Sequence, residues 1–280
     1  MKLISSPILI QQITDAITPH YEPSEARAIA FRCLDLGWNL SSMDIILKKE
    51  VDLPVDWSSR LARLAAGEPL QYVMGKTYFR DHLFHVNSDT LIPRPETEVL
   101  IDLALERMRR LENPCVVDLG TGSGIVAISL AQECPSAQIV AVDLSPDALS
   151  VARNNAGRLG AKIDFVQSNW FEHLPNQRFD LIVSNPPYVA ENDPHLSLNG
   201  LPFEPQMALT DGEQGGNGLA CIRQIVAQAA SHLTPGGWLL FEHGYDQGEA
   251  SRNLLSAAGF KAAFTQTDLA GTDRVSGGHL

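Results

Sequence analysis

Residues 115–133 read Cys-Val-Val-Asp-Leu-Gly-Thr-Gly-Ser-Gly-Ile-Val-Ala-Ile-Ser-Leu-Ala-Gln-Glu, or CVVDLGTGSGIVAISLAQE. An apolar run of strand length stops at Gly120-Thr121-Gly122-Ser123-Gly124, and a helical pattern begins at once. Glycine lets a backbone turn tightly and lets a ligand approach the helix N-terminus, whose free N–H groups favour negative charge. About twenty residues further on, Asp143 closes the run QIVAVD, where a carboxylate can accept hydrogen bonds from both hydroxyls of a ribose. Together the loop and the aspartate indicate a nucleotide-like ligand. Gly122, Gly124 and Ala127 also satisfy a dinucleotide fingerprint, so the loop alone leaves the ligand open.

Working outward, apolar runs alternate with helical stretches: PDALSVARNNAGRLG (146–160), IDFVQ (163–167), FDLIVSN (179–185), a helix after Gly218, and GGWLLFEHG (236–244). This alternation predicts an α/β domain, a Rossmann-like parallel sheet covered by helices on both faces. Upstream, Pro93 and Pro95 precede the helical run ETEVLIDLALERM, and FRDHLFHVNSDTLI (79–92) has the pattern of a hairpin or extended connector. Residues 1 to about 70 show helical spacing at Ile8, Ile10, Ile13 and Ile17, at Ala26, Ile29, Cys33 and Leu34, and around Trp57, Leu61 and Leu64. The expected division is a small helical domain over 1–75, a connector hairpin over 76–93 and an α/β domain over 94–280.

The 280 residues carry 21 Lys and Arg against 33 Asp and Glu, a formal net charge of -12. Such a balance disfavours a protein that lives on naked nucleic acid, where affinity comes from neutralising phosphates. The four cysteines lie far apart with no C-x-x-C pair, which fits buried thiols in a reducing compartment and not thiolate metal ligands. His82, His85 and His173 lack metal-site spacing, so no metal is expected. The opening MKLISSPILIQQ lacks a signal-peptide pattern and no 18-residue apolar span occurs, so a cytoplasmic protein without a membrane partner is expected.

Ser184-Asn185-Pro186-Pro187-Tyr188-Val189 follows the strand FDLIV, on the same rim of the sheet as the glycine loop. Proline has no N–H, and a Pro-Pro step holds the preceding residue extended. The Asn185 carboxamide oxygen and the Pro186 carbonyl are therefore two fixed acceptors, a match for the two donors of an NH2 group. The lone pair of an amide or aromatic NH2 is delocalised, so alkylating it needs positioning above all. Holding both N–H bonds while the lone pair faces the sulfonium methyl of S-adenosylmethionine supplies that positioning without a metal. Tyr188 is expected to pack against the planar group being methylated.

With GEPLQYVMG (67–75), LIPRPETE (91–98), DLGTGSG (118–124), SNPPYV (184–189), DPHL (193–196), FEP (203–205), FEHG (241–244) and DLAGTDRV (268–275), nearly the whole chain resembles the release factor glutamine methyltransferases. These are class I S-adenosylmethionine enzymes of the PrmC/HemK family. The resemblance implies a helical N-terminal substrate-recognition domain, a hairpin connector and a Rossmann-like catalytic domain. It also implies methylation of the side-chain amide nitrogen of the glutamine in the Gly-Gly-Gln motif of peptide chain release factors, a step in translation termination. It assigns S-adenosyl-L-methionine binding to Gly120, Thr121, Gly122, Ser123, Gly124, Asp143, Trp170 and Asn185. Substrate binding falls to Asn185, Pro186, Pro187 and Tyr188, with Asn185, Pro186 and Tyr188 as the catalytic set. Two positions depart from the family pattern: Asn169 where aspartate is usual, and Arg80 where an aromatic is usual. The glycine-rich TDGEQGGNG (210–218) is expected to be a surface variation.

Two other functions share the Asn-Pro-Pro-Tyr chemistry, an adenine amino-methyltransferase acting on nucleic acid and a glutamine methyltransferase acting on a ribosomal protein. The first needs a basic track and a flipped-base pocket. A binding protein that merely senses S-adenosylmethionine does not need SNPPYV. Arg94, Glu96 and Glu98 are expected to be a solvated helix start, and Glu242 and His243 a structural hydrogen-bonding pair.

Overall fold

The computed structural model describes residues 2–198 and 200–280. It divides into two compact units, one of Met1–Thr77, Val86–Ser88 and Pro194–Phe203, the other of Tyr78–His85, Asp89–Asp193 and Glu204–Leu280.

The first unit contains, in chain order, β1 (Lys2–Ser5), α1 (Ser6–Ile17), α2 (Pro23–Trp38), α3 (Ser42–Ile46), β2 (Glu50–Leu53), α4 (Trp57–Ala65) and α5 (Leu70–Met74). The helical periodicity is realised with one exception: α1 buries Ile10, Ile13 and Ile17 but exposes Ile8 and buries Leu9 in its place, and α2 buries Ala26, Ile29, Cys33 and Leu34. Pro23 occupies the first turn of α2, and Asn39 ends that helix in the left-handed region. Ser41 and Asp44 exchange bonds in a capping box that starts α3. The purely helical expectation is incomplete, because β1 and β2 pair antiparallel with Ile4 opposite Val51. Strands of four residues give too few positions for a period of two to stand out.

Next come β3 (Lys76–Phe79) and β4 (His82–His85), which form a two-stranded sheet. The second unit continues with α6 (Thr97–Met108), β5 (Cys115–Leu119), α7 (Ile125–Glu133), β6 (Gln138–Asp143), α8 (Pro146–Leu159), β7 (Asp164–Gln167) and β8 (Phe179–Ser184). It ends with α9 (Gln206–Leu209), α10 (Ala220–His232), β9 (Leu233–Glu242), α11 (Gly248–Ala257), β10 (Lys261–Thr267) and β11 (Asp273–His279). The seven-stranded sheet has the order β10-β11-β9-β8-β5-β6-β7. Strands β9, β8, β5, β6 and β7 are parallel, and β11 runs antiparallel to both of its neighbours.

Both faces of the central strands β5, β6, β8 and β9 are buried, which explains their continuous apolar runs. Val116, Leu181 and Leu240 face α6, α7 and α8, whereas their chain neighbours Val117, Ile182 and Leu239 face α10 and α11. At the edge, the β10–β11 register shifts between Lys261 and Phe264, and Ala262 has φ of 49°. From β5 the chain steps outward through β6 to β7, then returns to the other side of β5 as β8. The strand order therefore reverses between β5 and β8, the place where ligands bind in open α/β sheets.

A buried amide links β4 to the glycine loop. Asn155 of α8 is fully buried; its Oδ1 accepts from the His85 N–H at 2.7 Å, and its Nδ2 donates to the carbonyls of His85 and Ser123, each at 2.9 Å. Replacing Asn155 with alanine removes the partner of three backbone groups, one on buried Ser123 and two on half-buried His85. We expect this to lower the unfolding free energy by roughly 2–4 kcal/mol, as read from urea denaturation.

Candidate active site

Gly120, Gly122 and Gly124 have φ of 72°, 56° and 86°, a run of positive values that side chains resist. The loop is tied to the neighbouring strand: the N–H groups of Gly120 and Thr121 both donate to the Val142 carbonyl at 2.9 Å, and the Gly122 N–H donates to Asp143 Oδ2 at 2.8 Å. Gly124 caps α7, and a Cβ there would lie 3.0 Å from Ile128 Cδ1 and 3.2 Å from Ala152 Cβ. Close packing of α7 on α8 thus sets the last glycine.

Beneath the loop, Asp118 accepts from Thr121 Oγ1 at 2.7 Å and from the Ala127 N–H at 3.3 Å. Burial outweighs those bonds and pushes its carboxyl up to about 7. Asp143 is held by the Gly122 and Ser145 N–H groups, the latter donating to Oδ1 at 2.9 Å. Burial raises the Asp143 pKa, against the pull of these backbone donors.

These groups line one cavity of about 580 Å³, together with Asp89, Leu91, Arg94, Thr97, Ser168 and Gln224. A volume of this size suits a nucleoside-sized ligand with room for a side chain beside it. Of the residues singled out in the sequence, Gly120, Thr121, Gly122, Ser123, Asp143, Trp170, Asn185 and Pro187 line it. Gly124 stands behind it as a helix cap, Pro186 is buried, and Tyr188 points its hydroxyl at Glu242 instead. The Trp170 ring lies over Gly120, where a Cβ would meet it at 3.5 Å, and its Nε1 donates to Gln224 at 3.1 Å. Asn169 gives its NH2 to Glu172 at 2.8 Å, and a carboxylate only accepts, so the carbonyl is the end Asn169 offers the cavity. The donor set fits S-adenosylmethionine: a carboxylate for a ribose, a glycine loop for close backbone approach, and an indole wall. No cluster of His, Cys, Asp or Glu able to hold a metal occurs among the described residues.

Thr97 and Glu204 have no individual role in the sequence reading, whereas Glu242, expected to be a structural hydrogen-bonding group, is one. Thr97, fully buried at the start of α6, donates its hydroxyl to Glu242 Oε2 at 2.7 Å and accepts from Asn185 Nδ2 at 3.1 Å. Tyr188 donates to Glu242 Oε1 at 3.1 Å. Burial pushes the Glu242 carboxyl up to about 7, opposed by the Thr97 and Tyr188 bonds, and the Tyr188 phenol is raised by burial and then by Glu242. Arg94, expected to be a solvated cap, lines the cavity and pairs with Glu204, whose Oε2 also accepts from the Ile92 N–H at 2.9 Å. Arg80 bonds Asp102 of α6 at 2.8 Å and Glu133 of α7 at 2.7 Å, so it braces the hairpin by charge.

The glycine-rich segment after Thr210 is more than a surface variation. A Cβ on Gly218 would lie 2.1 Å from the Tyr188 carbonyl oxygen, and Gln247 Nε2 donates to that same oxygen at 3.0 Å. Only a bare backbone fits against Asn-Pro-Pro-Tyr here.

Replacing Gly218 with alanine is expected to destabilise the fold by about 1–3 kcal/mol or more, because the obstructing atoms are backbone and φ is 73°. The urea midpoint reads this. Asp118 and Glu242 supply a second expectation. Both bind a proton more tightly folded than unfolded, so their contribution to stability is full below the ordinary carboxyl values of 3.8 and 4.5 and is lost as pH rises towards about 7. The thermal midpoint of the ligand-free protein should fall between about pH 4 and about pH 7, and Asp118→Asn should flatten that fall.

Comparison with known proteins agrees with this geometry. Residues 97–200 match the methyltransferase small domain. The solved structure of a T. thermophilus 16S rRNA N2 G1207 methyltransferase in complex with AdoMet and guanosine aligns with a TM-score of 0.54 at 20% identity, covering 73% of this chain and 49% of that one. That likeness shows the fold. A release factor glutamine methyltransferase of Bordetella pertussis is 48% identical over 225 residues, 80% of this chain and 82% of that protein. The Burkholderia pseudomallei protein of the same name is 46% identical over 88% of both chains, and that of Escherichia coli is 44% identical over 77% of both. With a methyltransferase sheet, a glycine loop that lines one cavity with Asp143, Asn185 and Pro187, and this degree of identity over most of its length, the chain belongs to the release factor glutamine methyltransferases.

Proposed function

We propose that this protein methylates the side-chain amide nitrogen of the glutamine in the Gly-Gly-Gln motif of peptide chain release factors, with S-adenosyl-L-methionine as donor. The observation that carries the reading is the single cavity whose wall holds the glycine loop and Asp143 on one side and Asn185 on the other. Relatives of that name, 44–48% identical, support it.

Asp143 and the loop Gly120–Gly124 hold the donor, and Trp170 walls its base. Asn185 Oδ1 and the Pro186 carbonyl receive the two N–H bonds of the substrate amide. With both protons so held, the nitrogen lone pair lies out of the plane of those bonds and is aimed. S-adenosylmethionine supplies a sulfonium methyl, which passes to nitrogen as its carbon–sulfur bond breaks. The methylated nitrogen is strongly acidic and gives its extra proton to water, so no strong base is required. Pro187 completes the substrate wall, and Asn185 and Pro186 act as the catalytic pair, with the Tyr188 hydroxyl held by Glu242 outside the cavity lining.

Residues 1–75 serve in this reading as the substrate-recognition domain, 76–93 as connector and 94–280 as the methyltransferase domain. The partner is the release factor as a folded protein, in the cytoplasm, with no stable nucleic-acid or membrane partner. The net charge of -12 supports this, and no helix among the described residues is long and apolar enough to cross a membrane.

The deciding measurement is transfer of labelled methyl from S-adenosylmethionine to purified release factor, beside a Gln-to-Ala loop variant and a DNA oligonucleotide. Label on the release factor that vanishes with the loop change is the expected result. Label on DNA would move the adenine reading forward, and label nowhere would sink both. Asp143→Ala should weaken S-adenosylmethionine binding by about tenfold or more, measured by calorimetry, since two ribose hydrogen bonds to a carboxylate are lost.

A further inference from the structure

An asparagine side chain can turn over, exchanging oxygen for NH2 at small cost, and its polarity is set by its partners. At this site the difference is decisive. With oxygen towards the cavity, Asn185 accepts from a substrate NH2. Turned over, it meets that NH2 donor to donor.

The partners run inward as a chain. Asn185 Nδ2 donates to Thr97 Oγ1 at 3.1 Å, Thr97 Oγ1 donates to Glu242 Oε2 at 2.7 Å, and the Tyr188 hydroxyl donates to Glu242 Oε1 at 3.1 Å. Thr97 and Glu242 are both fully buried, so solvent offers them no alternative. An ionised carboxylate has no proton to give, and both hydroxyl protons must go to it. The threonine oxygen then has only lone pairs left for Asn185. Only the NH2 end of Asn185 can meet lone pairs, and its oxygen is left for the cavity.

We propose that Thr97 and Glu242 are positioning residues that act through Asn185, fixing its carboxamide with the oxygen towards the substrate amide. The proposal rests on the glutamine reading for what Asn185 receives, and on these contacts alone for how Asn185 is oriented. Protonation of Glu242 releases the lock. Its new O–H can donate to Thr97, whose own proton can then go to the Asn185 oxygen and turn the amide over. The groups that face Glu242 are Thr97 and Glu96 from the start of α6, Tyr188 from the Asn-Pro-Pro-Tyr segment and Arg274 from β11. Burial is the chief reason this carboxyl titrates near neutrality, with Glu96 adding to the shift and Arg274 opposing it.

The test compares wild type, Thr97→Val and Thr97→Ser in methyl transfer to a release factor. Valine keeps the shape and removes the hydroxyl. We expect kcat to fall at least about tenfold and KM to change by less than about threefold, as for loss of one preorganised partner. Serine should restore kcat to within about threefold of wild type, because it returns the hydroxyl without the methyl. In wild type, kcat should rise with pH through the titration of Glu242, and Thr97→Val should lose that rise. A merely structural role would move stability and leave both the pH profile and the KM against kcat split unchanged. Full kcat in a folded Thr97→Val enzyme overturns the proposal.

A second measurement needs neither a variant nor a substrate. In nitrogen-15 NMR spectra of the wild-type protein, the Asn185 side-chain NH2 should exchange slowly with water, and its shifts should follow the Glu242 titration. Fast exchange with no such titration overturns the proposal even where the variants fail to fold. This readout stands if wild type proves inactive on release factors, so loss of the glutamine reading and loss of the positioning chain are told apart.

Discussion

One carbonyl organises the catalytic rim. Val142, one residue before the end of β6, accepts from both Gly120 and Thr121, and the last residue, Asp143, takes the Gly122 N–H. The loop that leaves β5 is thereby hung on β6 and cannot collapse onto its own strand. Everything else at the site is measured from that suspension. It opens the space above the strand ends and aims α7 with its N-terminus at that space. It also places the Asp143 carboxylate beside the loop, where one ligand can touch both. The three positive φ values follow from the path this demands.

A second fixed point lies deeper, in two buried carboxylates. Burying Asp118 and Glu242 costs stability near neutral pH, since each prefers its proton in the folded state. What the carboxylates provide is direction. Asp118 collects Thr121 and the Ala127 N–H at the base of the glycine loop, and Glu242 collects Thr97 and Tyr188 on the substrate side. An aliphatic residue packs equally well in any rotational sense of its neighbours, whereas an acceptor with no proton dictates which way each hydroxyl points.

Those elements of the site that obey local backbone rules were legible in the sequence. Glycine 120, 122 and 124 announce a turn that side chains resist, Asp143 closes an apolar strand, and Pro186 and Pro187 leave carbonyls without competing donors. The alternation of strand and helix likewise followed from local periodicity, because both faces of the sheet are buried. Groups that work across long separations were opaque. Thr97 and Glu242 lie 145 residues apart, and Arg94 and Glu204 lie 110 apart; the segments that hold them stand out, but nothing local says which residue pairs with which. Gly218 reads as one glycine among many until the Tyr188 carbonyl is found pressed against it. The β1–β2 pair was missed for a different reason, since four residues beside a strong helical pattern carry little periodic signal.

The bulge at Lys261–Phe264 has a bearing on life in a crowded solution. A seven-stranded sheet ends in two edges, each a row of hydrogen-bonding groups that could recruit a strand from another molecule. One edge, β7, is four residues long and begins with Asp164. The other, β10, is seven residues long and would be the better template, but Ala262 in the left-handed region breaks its pleat and twists the row out of line. Both free margins are therefore poor nuclei for edge-to-edge stacking. A sheet whose central strands are largely apolar on both faces keeps its rims unattractive to copies of itself while each newly made chain awaits its covering helices.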